Sequence, residues 1–324
     1  MENTKYDVTA LGELLIDFTE NGMSAQNNPM LEANPGGAPC NVLSMLSRLG
    51  RKTAFIGKVG KDGFGELLRK AVEEQGISTE GLLFDENIHT TLALVLKKEN
   101  GDRDFAFYRN PGADMMLQED EVNEALISNS KIFHFGTLSL TDEPVRSATQ
   151  KAVKCAKEAG ACITFDPNLR EPLWKSLEEA HEQVAWGLAQ ADVVKISDNE
   201  ITWFTGLEDY DACLAKLQEL FPNLKLICLS MGADGSIACN QKHKVFVPAY
   251  LQENTIETTG AGDTFCACMI DAVLKNGTDM DENALRQMLQ MGNAAASIVT
   301  TKKGALRVMP SLNDVLALLA EREN

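Results

Sequence analysis

The sequence predicts an α/β fold, and three observations carry that expectation. Short apolar runs alternate with helical periodicity from one end of the chain to the other, the pattern of parallel strands joined by crossover helices. Two β-rich stretches interrupt this rhythm. Near the C-terminus, residues 263–276 are apolar almost all round, as expected of a buried central helix, and glycines crowd its entrance.

Taken in order, strand-like runs fall at residues 8–11, 54–59, 132–135, 162–165, 193–196 and 226–229. Helix candidates with apolar residues at three- and four-residue spacing lie between them, at 42–49, 64–75, 145–159 and 213–220. The interruptions are residues 14–31 and 90–108. In the second, runs 91–96 and 103–108 flank Glu99-Asn100-Gly101-Asp102, an Asn-Gly hairpin signal. Strands outside the main sheet form a small accessory sheet, and such an element often serves as a lid. The 324 residues contain no internal repeat, low-complexity segment or Pro-rich linker. A single domain over 1–324 with hinged lid inserts at about 14–31 and 90–108 is therefore expected.

Apolar residues make up 44% of the chain and charged residues 24%, ordinary for a protein with a sizeable core. With 47 acidic against 30 basic residues the formal charge is −17, which disfavours nucleic acid and anionic lipid as partners. The same charge repels free nucleotide phosphates, so a nucleotide enzyme of this composition needs a local cationic or dipolar site and a metal counter-ion. The eight cysteines include no CxxC pair and read as reduced, mostly buried thiols. MENTKYDVTALG has neither the charged start nor the apolar run of a signal peptide, and no stretch is long and apolar enough to span a bilayer. A soluble cytoplasmic protein is the expectation.

Chemistry concentrates in Thr258-Thr259-Gly260-Ala261-Gly262-Asp263-Thr264-Phe265. Two glycines before a helix let a ligand approach backbone N–H groups, and the helix dipole favours an anion there. Asp263 at the first turn has two readings: a helix cap, or a carboxylate that takes the proton of an attacking hydroxyl beside a phosphate cradle. No GxxxxGK[ST] occurs. The glycine-rich run 57–65 never forms GxGxxG and reads as a strand-to-helix turn capped by Asp62.

TTGAGDTF resembles the C-terminal signature of the PfkB, or ribokinase-like, sugar kinases. Pro35-Gly36-Gly37-Ala38-Pro39-Cys40-Asn41 is similar to that family's N-terminal GGxxxN motif, about two hundred residues upstream. The resemblance covers nearly the whole chain. GELLIDF (12–18), PGGAPCN (35–41), FIGKVGKDGFG (55–65), FYRNPGADMML (107–117), FHFGTLSL (133–140) and DPNLREPLW (166–174) look more narrowly like fructokinases. DPNLREPLW is also similar to 2-keto-3-deoxygluconate kinases.

The resemblance implies a ribokinase-like fold, an open and mainly parallel sheet flanked by helices with a small β-clasp lid. It also implies roles for individual residues. Asp263 would be the base, with the amides of Gly260, Ala261 and Gly262 as anion hole and Arg170 as a cation beside the transferred phosphate. Asp17, Gly36, Gly37 and Asn41 would contact sugar, as would Arg109, whose alternative is a solvated lid charge. Ser230, Gly232, Gly235 and Asn293 would line the nucleotide site. Glu200, in SDNE, would hold Mg²⁺ through waters; Ser197 replaces the usual Asn of that motif and is read as a helix cap. Glu257 stands where the family commonly has an Asp bordering a K⁺ site. The substrates implied are ATP with Mg²⁺ and a small sugar, and the assembly implied is a homodimer through the clasp.

The leading expectation is phosphorylation of D-fructose to fructose 6-phosphate. A 2-keto-3-deoxygluconate kinase or ribokinase is the rival within the class. A catalytically inactive fructokinase-like binding or regulatory protein is the rival outside it, and the intact Asp263, loop glycines and Arg170 argue against that one.

Overall fold

The computed structural model describes residues 5–97 and 103–322. The expected turn at 99–102 lies outside the described residues, but the strands on either side of it do pair antiparallel.

The chain begins with β1 (Tyr6–Leu11), then β2 (Leu15–Met23) and β3 (Pro29–Gly36), which lead into α1 (Ala38–Arg48). Next come β4 (Thr53–Gly60), α2 (Gly63–Glu74), β5 (Ile77–Asp85), β6 (Leu92–Lys97) and β7 (Arg103–Tyr108). A regular alternation follows: α3 (Glu124–Ser128), β8 (Ser130–Gly136), α4 (Val145–Glu158), β9 (Cys162–Asp166), α5 (Leu177–Gln190) and β10 (Val193–Ser197). After α6 (Asp198–Thr205) and α7 (Tyr210–Leu220), β11 (Leu226–Ser230) leads into β12 (Ser236–Asn240) and β13 (Lys244–Val247). Helices α8 (Ala261–Asn276), α9 (Glu282–Val299) and α10 (Leu312–Arg322) end the fold.

Nine strands form one sheet in the order β13-β12-β11-β10-β9-β8-β1-β4-β5. It is parallel from β5 to β11, and β12 and β13 add an antiparallel edge. The central strands are buried on both faces, which is why they read as near-continuous apolar runs. Period-two alternation sends Phe133, Phe135, Val194 and Ile196 to one face, where α3 to α7 pack. Ile132, Val193 and Cys228 face the other layer, made of α1, α2, α8, α9 and α10. A second, four-stranded sheet of order β3-β2-β6-β7 comes from the two rhythm-breaking stretches. Where the sequence suggested an insert ending at residue 31, β3 runs on to Gly36 and so carries Asn34, Pro35 and Gly36 inward.

Local signals explain most helix starts. Asp62 accepts from the amides of Phe64 and Gly65 at the head of α2, the role its turn predicted. Helix α1 starts at Ala38, four residues before the apolar periodicity becomes readable, because Gly37 at φ 123° makes the turn and Pro39 fits the first turn. Between Phe265 and Leu274 helix α8 is apolar as expected apart from Asp271, which is buried but accepts from Arg51 Nε at 2.6 Å and pairs with Lys275 Nζ at 2.6 Å. Among the described residues no helix is long and apolar enough to cross a membrane.

Leu285 in α9 is fully buried against α8, whereas Leu220 at the end of α7 is 52% exposed. Leu285→Ala is expected to lower unfolding free energy by about 2–5 kcal/mol, and Leu220→Ala to stay within about 0.5 kcal/mol. Urea unfolding of both variants checks this; equal losses would contradict the assignment of α9 to the core.

Candidate active site

The glycine-rich loop ends at Gly260, whose φ of 79° lies in the left-handed region. A Cβ there would also stand 2.7 Å from the Ala305 Cβ, so both backbone and space demand glycine. Helix α8 starts at the next residue, and its first amides have no carbonyl one turn back within the helix, which makes this end attractive to an anion. Of the three expected anion-hole amides, that of Ala261 donates to the Thr258 carbonyl at 3.2 Å.

Asp263 does not cap the helix. Its carboxylate is buried and turns toward α1, where Asn41 Nδ2 donates to Asp263 Oδ2 at 2.8 Å across 222 residues of sequence. Burial raises the Asp263 pKa, against the opposing pull of the Asn41 hydrogen bond and of the Lys195 and Arg170 charges. A buried carboxylate with an elevated pKa at a helix end that favours anions is suited to accept a proton.

Asp263 lies in a cleft of about 240 Å³ at the carboxyl ends of the strands. Asp17 from β2, Gly37 and Asn41 from the head of α1, and Arg170 beyond β9 line it together with Asp263. Val95 and Phe107 from the small sheet form its outer wall. Gly36 lies directly against the Asp17 carboxylate, where any side chain would collide with it. At Gly37 a side chain would meet the Glu13 carbonyl. Burial pushes Asp17 up to about 7; Arg170 opposes that rise, and Asp263 and Glu257 add to it. Asn41 Oδ1 is buried without a hydrogen-bond partner among the described residues, an acceptor available to a ligand hydroxyl. Arg170 is exposed and forms no ion pair among the described residues, so the surface salt bridge is not what holds it.

A larger groove of about 420 Å³ runs beside this cleft. All four expected nucleotide-site residues, Ser230, Gly232, Gly235 and Asn293, line it. Its apolar wall includes Tyr250, Leu251 and Phe265. Asn293 is fixed by accepting from Ser236 Oγ at 2.8 Å and donating to the Val247 and Pro248 carbonyls at 3.1 Å each.

One expectation changes. Arg109 is neither a cleft residue nor a solvated lid charge: its side chain is 2% exposed and pairs with Asp114 at 2.8 Å. It also donates to Thr141 Oγ1 and to the Leu138 carbonyl, each at 2.9 Å, and so ties the end of β7 to the segment after β8. Glu200 is engaged by backbone: it accepts from the Leu169 amide at 2.7 Å and from the Ser197 amide at 2.8 Å. Ser197 Oγ returns an acceptor to the Glu200 amide, a capping box that starts α6. Glu257 lines the sugar-sized cleft and gives one oxygen to the Gly304 amide at 2.7 Å.

Sequence reasoning missed Lys195 and Asp166. Lys195 Nζ lies 3.1 Å from Asp166 Oδ2, and both side chains are buried on the α8 side of the sheet. Burial pushes Asp166 up to about 7 against the attraction of Lys195, while Lys195 itself is held protonated by Asp166 and Glu200. The signal was present: a lysine between Val194 and Ile196 in a central strand is a charge where an apolar residue is the norm.

Comparison with known proteins agrees with this geometry. Residues 5–312 match the model of the pfkB family of carbohydrate kinases. A probable fructokinase-3 of Arabidopsis thaliana is 41% identical over 319 residues, covering 98% of this chain and 92% of that protein. The crystal structure of a fructokinase with bound ATP from Xylella fastidiosa superposes with a TM-score of 0.89 at 28% identity, covering 98% of this chain and 99% of that one. A double mutant of the Vibrio cholerae O395 fructokinase, solved with fructose, ADP and potassium ion, gives 0.87 at 28% identity, covering 98% of this chain and all of that one. The chain belongs to the pfkB family of carbohydrate kinases and is an ATP-dependent sugar kinase of ribokinase-like fold.

Asp17 offers a test of how binding chemistry and stability oppose each other. Its folded-state pKa, about 7 against 3.8 for a free carboxylate, means that the fold binds this proton more tightly than the unfolded chain. The corresponding stability is present at low pH and lost as pH rises through about 7. Asp17→Asn is therefore expected to melt above the wild type at about pH 8 and level with it at about pH 4, while raising the sugar KM by roughly tenfold or more. Melting curves at both pH values and initial rates check this. A variant less stable than wild type at the higher pH would contradict the assigned burial.

Proposed function

We infer that the protein transfers the γ-phosphoryl group of ATP to the 6-hydroxyl of D-fructose. The observation that carries the reading is the buried Asp263 carboxylate at the amino end of α8, where the smaller cleft meets the larger groove. Fructose as the acceptor rests on relatives about 41% identical over nearly the whole chain that are named fructokinases, and on the fructose-bound neighbour.

In this mechanism fructose occupies the cleft, with Asp17 accepting from its hydroxyls and the Asn41 oxygen taking a further one. Asp263 accepts the proton of the attacking hydroxyl as that oxygen bonds to the γ-phosphorus and the bond to the ADP oxygen breaks. Phosphoryl transfer has a loose transition state, so alignment and charge neutralisation matter more than proton abstraction alone. The head of α8, with Gly260 and Gly262, and Arg170 supply that neutralisation in a chain of net charge −17.

ATP fits the groove lined by Ser230, Gly232, Gly235 and Asn293. Among the described residues no group of three or more His, Cys, Asp or Glu side chains is placed to hold a metal ion. Mg²⁺ bound with the nucleotide would supply neutralisation of its phosphate charge. The half-buried Glu200 keeps a lone pair on each oxygen for a metal-bound water. K⁺ is the monovalent ion to test near Glu257, given the potassium-bound neighbour. The small sheet would act as lid, and its exposed Met23, Met30, Leu31 and Tyr108 support pairing of two copies through it.

A coupled ADP-release assay over fructose, ribose, 2-keto-3-deoxygluconate, mannose and glucose is expected to give the highest kcat/KM with fructose; preference for another sugar would overturn the substrate. Asp263→Asn is expected to fold normally, bind fructose within a few-fold of wild type and lose about 10²-fold or more in kcat. Turnover near wild type would remove Asp263 from the role of base.

A further inference from the structure

Lys195 occupies a place that no role derived above explains. The sugar cleft and the nucleotide groove have only three lining residues in common among the described residues: Lys195, Thr258 and Gly262. Thr258 and Gly262 belong to the loop and first turn before Asp263, so their presence at the junction follows from the chain's path. Lys195 arrives independently, from β10. Alternation along that strand directs it away from Val194 and Ile196, which pack on the opposite layer, and toward α8.

Its ammonium ends close to the helix head, for a Cβ added to Gly262 would stand 3.3 Å from Lys195 Nζ. The side chain is 7% exposed, a costly position for a charge unless it is paired. Asp166 provides the pair, 3.1 Å away at the end of the adjacent strand β9. The pairing is not a closed unit: Lys195 Nζ donates to Asp166 Oδ1 at 3.2 Å, its one hydrogen bond among the described residues, and an ammonium has three hydrogens to give. A surplus donor on a buried cation, facing the anion-binding end of a helix at the meeting point of two ligand pockets, is the arrangement that a transferring phosphoryl group requires.

We propose that Lys195 is a further catalytic residue, contacting the γ-phosphoryl group as it passes from the nucleotide groove to the sugar cleft, and that Asp166 is the positioning residue that holds it there. The proposal rests on the kinase reading above. It distinguishes two cations: Arg170 is exposed at the rim of the cleft, whereas Lys195 is buried at the junction, so only Lys195 acts from a site that water does not screen. No bond to Lys195 forms or breaks. It stays protonated throughout, and the hydroxyl proton still goes to Asp263.

The test separates catalysis from the repair of a buried charge. Lys195→Met is expected to lower kcat by about 10²-fold or more while the fructose KM stays within about threefold. Asp166→Asn is expected to show the same split, a lower kcat at nearly unchanged KM, and an unchanged kcat would remove its positioning role. Because Lys195→Met leaves Asp166 buried and unpaired, the double variant Lys195→Met, Asp166→Asn is the deciding one, since it removes both charges. It is expected to recover most of the thermal stability lost by Lys195→Met and none of the kcat; recovery of kcat to within about fivefold of wild type would reduce the pair to a structural element. Should either variant fail to fold, the wild-type enzyme crystallised with fructose and a non-hydrolysable ATP analogue decides the matter. Lys195 Nζ is expected within about 3 Å of a γ-phosphate oxygen, and separation beyond about 5 Å overturns the proposal. Absence of wild-type turnover with every sugar would be a failure of the kinase reading, visible before any variant is made.

Discussion

The hydrogen bond from Asn41 to Asp263 is the contact on which the site depends. It joins the head of α1 to the head of α8, two helices that start from glycine-rich turns at opposite ends of the chain and pack on the same face of the sheet. Each partner is buried, so neither tolerates the loss of the other without leaving a desolvated polar group unpaired. The bond also decides what Asp263 can do. One carboxylate oxygen is occupied and oriented by an amide and the side chain is drawn away from capping its own helix; in the proposed mechanism the other oxygen takes the proton of the reacting hydroxyl. The parallel sheet makes this convergence possible by delivering the ends of β9, β10 and β11 to the same edge.

Around that bond the protein concentrates carboxylates that burial would rather keep neutral. Glu13 and Asp166 are both pushed up to about 7, as is Asp17, chiefly by loss of water. Glu13 is held by the Ala38 amide at 2.6 Å, and Asp166 by Lys195. Such a cluster destabilises the ligand-free fold as pH rises toward neutrality, an expected conflict where binding groups are preorganised. The two cations lining the cleft, Arg170 and Lys195, offset part of the negative charge of Glu13, Asp17, Glu257 and Asp263 around them.

Much of this was legible in the sequence, for reasons that differ by element. Strands β1, β4 and β8 to β11 are apolar on both faces and stand out as uninterrupted runs. Strand β5, which opens with Ser78, Thr79 and Glu80 after Ile77, and the short edge strands β12 and β13, with Ser236, Asn240 and Lys244 among few residues, offer no such run. The loop before α8 was readable because two glycines beside an acid serve few purposes other than anion binding. Arg109 was misread because its partners, Asp114, Thr141 and Leu138, come together only when the segments after β7 and β8 fold against each other. Glu200 carries two signals at once: Ser197 and Glu200 spell a capping box, and each carboxylate oxygen accepts one backbone hydrogen bond, which only the folded contact with Leu169 completes. Lys195 lies in the middle of apolar β10 and Asp166 at the end of β9, and their pairing depends on β9 and β10 being neighbours, which strand order alone reveals.

The central claim is that Asn41 acts through Asp263, fixing the carboxylate that receives the proton. A double-mutant cycle on kcat with Asn41→Ala, Asp263→Asn and the double variant tests it most directly, with melting temperatures recorded on the same samples. If Asn41 works by orienting Asp263, it has nothing to orient once the carboxylate is gone, and the double variant should turn over within about threefold of Asp263→Asn alone. Losses that multiply, with the double variant slower by the full product of the two single effects, would show that the residues act independently and would contradict the account.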